Sequence, residues 1–66
     1  MSLSQQLFIR RYLRFLTERQ RQAIELYLYG YKQREIADLM RIRQQNVSRL
    51  LLRGMKKIKK IYERGV

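Results

Sequence analysis

Apolar residues recur at helical spacing along nearly the whole chain, and the pattern is sharpest between residues 32 and 54. There Ile36, Ala37, Leu39 and Met40 share one face of a short helix. After a break at Arg41, Ile42 and Arg43, a second stripe begins with Val47, Leu50 and Leu51. It continues in phase through Gly54, Met55, Ile58, Ile61 and Tyr62. Such spacing fits a helix and not a strand, whose side chains alternate. The break has room only for a tight turn, so the two helices must cross steeply. That arrangement is a helix-turn-helix, whose second helix can enter the major groove of DNA.

The N-terminal half carries two further helical patterns. Ser2 or Ser4 can cap the first, in which Phe8, Ile9, Tyr12, Leu13 and Leu16 form one face. Arg10, Arg11 and Arg14 lie largely opposite, while Leu7 and Phe15 broaden the apolar side. That face either closes over the helix-turn-helix or meets a partner. Thr17 with Gln20 is a capping box, and Glu18 suits the first turn of the helix that follows. This second helix is expected to bury Ala23, Ile24, Tyr27 and Leu28 and to end at Gly30. Leu26 and Tyr29 fall off its buried face. Lys32 is a poor cap for the third helix. Gly54, which costs about 1 kcal/mol relative to Ala inside a helix, marks close approach of another helix. The expectation is one all-α domain over residues 1–66, a small four-helix helix-turn-helix. Its helices are predicted near residues 4–16, 18–29, 33–40 and 44–62, with Gly65 and Val66 fraying.

Composition narrows the function. The 66 residues contain no His, Cys or Pro, so neither zinc nor a disulfide can staple so small a core, and no cofactor is expected. Without His or Cys an enzyme is not expected either. Glu35 and Asp38 share a helix face but sit among basic neighbours, where ion pairing accounts for them. No apolar run reaches the roughly 20 residues that span a bilayer, and no signal-peptide order is present. A cytoplasmic protein is the expectation. The net charge is +11, and nine of the basic residues lie between Arg41 and Arg64 against one acid, Glu63. So uneven an excess suits a polyanion: nucleic acid first, an anionic membrane surface second.

Gln44, Gln45 and Asn46 open the fourth helix, where a docked recognition helix meets base edges, and Ser48 and Arg49 follow on its exposed side. Gln and Asn can pair bidentately with adenine, and Arg with guanine. The competing reading is a solvated polar helix end. Arg53, Lys56, Lys57, Lys59 and Lys60 suit phosphate or solvent. Lys32, Gln33 and Arg34, at the start of the third helix, suit phosphate, and Arg41 and Arg43 flank the turn. Leu52 lies outside the inward stripe, near Ser48. Asn46-Val47-Ser48 matches a glycosylation sequon by accident of composition.

Residues 16–62 resemble the fourth conserved region of bacterial sigma factors. Leu16-Thr17-Glu18-Arg19-Gln20-Arg21 looks like that family's entry into its second helix. Gly30 stands where a glycine separates helices, and Glu35-Ile36-Ala37-Asp38-Leu39-Met40 resembles the core of the supporting helix. Val47, Leu51 and Arg53 fall on the recognition helix, and Lys56-Lys57-Ile58 resembles its basic tail. Output domains of LuxR-type response regulators share a related pattern, but the basic tail here is closer to the sigma pattern. The resemblance implies recognition of double-stranded promoter DNA. Two departures stand out: Arg41 replaces a turn glycine, which implies backbone strain, and Arg43 replaces a capping serine. The polymerase-holding and DNA-melting parts of a sigma factor have no counterpart here. The implied protein is a free-standing regulator of the kind that phages and mobile elements carry.

Three functions compete on these grounds. The first is a sequence-specific DNA-binding transcription regulator. The second is an interaction module whose first helix docks on RNA polymerase or another regulator, with DNA binding secondary. The third is a non-specific polyanion or membrane-surface binder, which the amide-rich start of the fourth helix argues against. One recognition helix reads only a few base pairs, so a second module is expected. A homodimer through the first helix is favoured over tethering to polymerase.

Overall fold

The computed structural model describes residues 2–65, and Val66 lies outside them. Helix α1 spans Leu3–Arg11, α2 Glu18–Leu28, α3 Gln33–Met40 and α4 Gln44–Glu63, with a short 3-10 turn at Leu13–Phe15 between α1 and α2. No strand occurs among the described residues, so the all-α, four-helix expectation stands.

Caps explain most of the helix boundaries. The Ser2 hydroxyl accepts from the Gln5 backbone N–H, and the Gln5 side chain accepts in return from the Ser2 N–H. Thr17 and Gln20 form the same reciprocal pair at the start of α2. Each pair satisfies two amides that a helix N-terminus leaves without partners. Lysine has no acceptor, so α3 receives only half such a box: Glu35 accepts from the Lys32 N–H at 2.8 Å.

The first helix stops five residues short of the predicted Leu16. At Tyr12 (φ −103°, ψ 0°) the chain tightens, and Leu16 is extended. The break has a packing cause. Ile9, Tyr12, Leu13 and Leu16 all meet a cluster formed by Ile24, Leu28 and Ile58, and then Thr17 must turn the chain into α2. A continuous helix would carry Leu16 past that cluster.

The core has two lobes. The first, Ile9, Ile24, Leu28 and Ile58, joins α1 and α2 to the second half of α4. The second, Ala23, Ile36, Ala37 and Val47, holds α3 and the start of α4 against α2. Leu51 packs against both. Leu26, left without a place by the helical pattern, borders the second lobe with Met40, Ile42 and Leu50. Tyr29 remains on the surface under the Arg10 guanidinium, 5.4 Å from its ring centre. Five residues of the apolar stripes are exposed instead: Phe8, Tyr27, Leu39, Met55 and Tyr62. Each sits at the margin of its helix's stripe, and a bundle this thin has no further layer to cover the margins.

Both turns around α3 use left-handed backbone. Gly30 (φ 101°) follows α2, with its N–H on the Tyr27 carbonyl and that of Tyr31 on the Leu26 carbonyl. This is the Schellman arrangement, and glycine adopts it without steric penalty. Arg41 (φ 57°, ψ 44°) repeats it after α3: its N–H meets the Asp38 carbonyl, and that of Ile42 meets the Ala37 carbonyl. The turn therefore exists without its glycine. It is held by the packing of partly buried Ile42 against the second lobe, at the strain expected of a residue with a Cβ in that region.

Gly54 is buried at the crossing of α4 over α2. A Cβ there would lie 2.5 Å from Ile24 Cδ1, which confirms the close approach. Gly65, expected to fray, takes a φ of 75° and donates to the Tyr62 carbonyl as α4 ends.

Candidate nucleic-acid interface

Fully buried Val47 and Gly54, half-buried Leu50 and Leu51, and Ile58 lock one side of α4 to the core. The other side is presented to solvent without choice. Gln44, Gln45, Asn46, Ser48, Arg49, Arg53 and Lys56 are all exposed. Gln45, Ser48, Arg49, Leu52 and Lys56 recur three and four apart, so they share one face. Leu52 is 58% exposed and stands among these polar groups. It also borders an apolar groove with Tyr27, Leu28, Leu51 and Met55.

The start of α3 lies beside the start of α4. Lys32, Gln33, Arg34, Glu35 and Gln44 line one shallow groove, so the phosphate candidates of α3 meet one base-reading candidate, Gln44, on one surface. A direct bond also joins the helices: the Ser48 hydroxyl donates to Gln33 Oε1 at 2.6 Å. Residue types and spacing gave no sign of this link, because the two residues lie fifteen positions apart.

Arg43 stands at the N-cap of α4 without a side-chain bond, as the missing serine implies. Its carbonyl instead receives the Asn46 and Val47 N–H groups. Arg43 itself is exposed, beside the exposed Gln44 and Gln45 in sequence.

Charge is distributed to match. Among the described residues there is a single ion pair, Arg21 with Glu25 at 3.1 Å on α2. The cations of the turn and of α4 carry no such partner, so their field is open to an incoming polyanion. No cluster of His, Cys, Asp or Glu able to hold a metal occurs among the described residues, and no helix is long and apolar enough to cross a membrane.

A family model described as Sigma-70, region 4 matches residues 7–58. The match begins earlier than the resemblance read from residue 16 and takes in the second half of α1. No curated protein and no solved structure matches the chain. A match that spans parts of all four helices and well over half of the residues makes this chain a member of the sigma-70 region 4 family, the DNA-binding helix-turn-helix domains of transcription.

Proposed function

We propose that the chain is a sequence-specific transcription regulator that lays the start of α4 in the major groove of double-stranded DNA. One observation carries this reading. The amide-rich opening of α4 is wholly exposed while the opposite side of the same helix is sealed into the core, so only one face can be offered. Gln44, Gln45, Asn46, Ser48 and Arg49 read bases. Lys32, Gln33, Arg34, Arg43, Arg53 and Lys56 fix the register on phosphates, which position a protein without carrying sequence information.

Selection of bound fragments from random DNA, followed by anisotropy titrations on the selected site and a scrambled one, tests the division. Gln45→Ala and Arg49→Ala should each lose about 1–3 kcal/mol on the selected site and little on the scrambled one. Lys56→Ala should weaken both alike and lower the salt dependence by about one phosphate contact. Equal losses on both DNAs for all three variants would refute base reading by α4.

A second role rests on α1. Leu3 and Leu7 are exposed on α1, and Tyr62, also exposed, pairs with Phe8 at a ring-centre distance of 5.2 Å, so apolar surface stands uncovered on α1 and at the end of α4. A second copy of the chain is the occupant we favour, and RNA polymerase is the other. Sedimentation equilibrium reads the first and a pull-down with core polymerase the second.

A further inference from the structure

Serine is a degenerate base reader, because a free hydroxyl can turn to donate or to accept. Ser48 is not free. Its Oγ lies 2.6 Å from Gln33 Oε1, a separation typical of O–H···O bonds and shorter than the usual N–H···O bond. The hydroxyl proton is therefore committed to Gln33, and the oxygen that remains on the surface has only lone pairs to offer. Ser48 sits between Gln45 and Arg49 on the exposed face, one turn into the recognition helix.

We infer that Gln33, from the supporting helix, sets the polarity of Ser48 and so acts as a specificity-determining residue without touching a base itself. The inference rests on the reading of α4 as the base-reading helix and adds to it a chemical rule for one position. An acceptor-only hydroxyl selects bases that present a donor in the major groove, the N6 amino group of adenine or the N4 amino group of cytosine. It rejects the acceptor edges of guanine and thymine. When DNA covers this edge of the domain and excludes water, the bond that holds the proton becomes harder to exchange. Gln33 keeps its two amide protons, which are available to a phosphate.

The test uses the full chain and a library of duplexes varied one base pair at a time around the selected site. For the wild type, the base pair sensitive to Ser48→Ala should favour adenine or cytosine on the contacted strand by about fivefold, the worth of one neutral hydrogen bond. Gln33→Met removes the acceptor, frees the hydroxyl and should erase that preference while leaving the preferences set by Gln45 and Arg49 intact. Gln33→Glu keeps an acceptor in place. It should retain the preference and weaken all DNA alike, because a carboxylate replaces the amide donor beside phosphate. Circular dichroism of each variant verifies the fold. A wild type without any sequence preference would overturn base reading by α4 itself, and this inference with it. A sequence-specific wild type whose preferences are unchanged at every base pair by Gln33→Met would leave base reading standing and overturn the role of Gln33. Loss of the preference in Gln33→Glu as well as Gln33→Met would do the same, since the acceptor would then be irrelevant.

Discussion

Replacing Gly54 by alanine sets two effects of known size against each other. Alanine is favoured over glycine in a helix interior by about 1 kcal/mol, and on an exposed helix that gain would be realised. Here the new methyl would lie 2.5 Å from Ile24 Cδ1, against the roughly 3.5–4.0 Å at which carbons rest in contact. Ile24 is 1% exposed and packed among Ile9, Leu28 and Ile58, so its end group can yield only by leaving its rotamer toward the groove it lines with Tyr27, Leu51 and Met55. Overpacking of this kind costs about 1–3 kcal/mol. Gly54→Ala should therefore destabilise by about 1 kcal/mol net, which lowers the melting temperature by about 4–8 °C in a domain of this size. Ile24→Val removes the offending Cδ1 and leaves Cγ1, which lies 3.5 Å from the new methyl, an ordinary contact. Alone it should cost about 0.5–1.5 kcal/mol. In that background Gly54→Ala should change sign and stabilise by about 1 kcal/mol. Urea titrations of the four proteins, followed by circular dichroism, measure the coupling, expected near 2 kcal/mol. Additivity within about 0.5 kcal/mol would refute the claim that glycine is present to let α4 cross α2.

The same titrations read two further substitutions, and sedimentation reads a third. Arg41→Gly relieves a left-handed backbone and should stabilise by roughly 0.5–1 kcal/mol, the αL penalty less the entropy of glycine; no gain would mean the turn carries no strain. Arg43→Ser supplies the hydroxyl that α4 lacks and should stabilise by about 1 kcal/mol while weakening DNA binding on all sequences. Leu7→Glu, at a residue 54% exposed, should lower the oligomer mass in sedimentation without changing helicity if α1 joins two copies, and an unchanged mass would refute that dimer. Tyr12, an attractive target from the helical pattern, is a poorer probe because it packs against the core and its loss would disturb the fold.

Three of the four helices are visible in the sequence almost to the residue, because their stripes are in phase and their ends carry local signals: Thr17 with Gln20, Gly30, and the basic break before Gln44. The end of α1 has no such mark. No glycine or proline interrupts residues 12–16, and what breaks the helix is the pull of Leu13 and Leu16 toward a core built by α2 and α4. The helical pattern points Tyr27, Leu39 and Met55 inward for a related reason. A wheel ranks positions by angle, but only the number of packed layers decides how wide a stripe is covered. The exposed candidates on α4 are legible because the apolar stripe alone defines the opposite side. The Gln33–Ser48 bond is not, since it depends on how two helices are set side by side.

Gly54 also falls almost midway between Gln44 and Glu63. Helix α4 therefore rests on α2 like a beam on a fulcrum, with arms of about 15 Å on either side at 1.5 Å per residue. The arm toward Gln44 ends at the proposed base-reading surface, and the arm toward Tyr62 ends at the aromatic contact with Phe8. A tilt of about 10° on such a beam carries its two ends roughly 2.5 Å in opposite directions. Val47 and Ile58, buried in different lobes on either side of the fulcrum, oppose that tilt, so both halves of the core, and not the fulcrum alone, set where the Gln44 end lies.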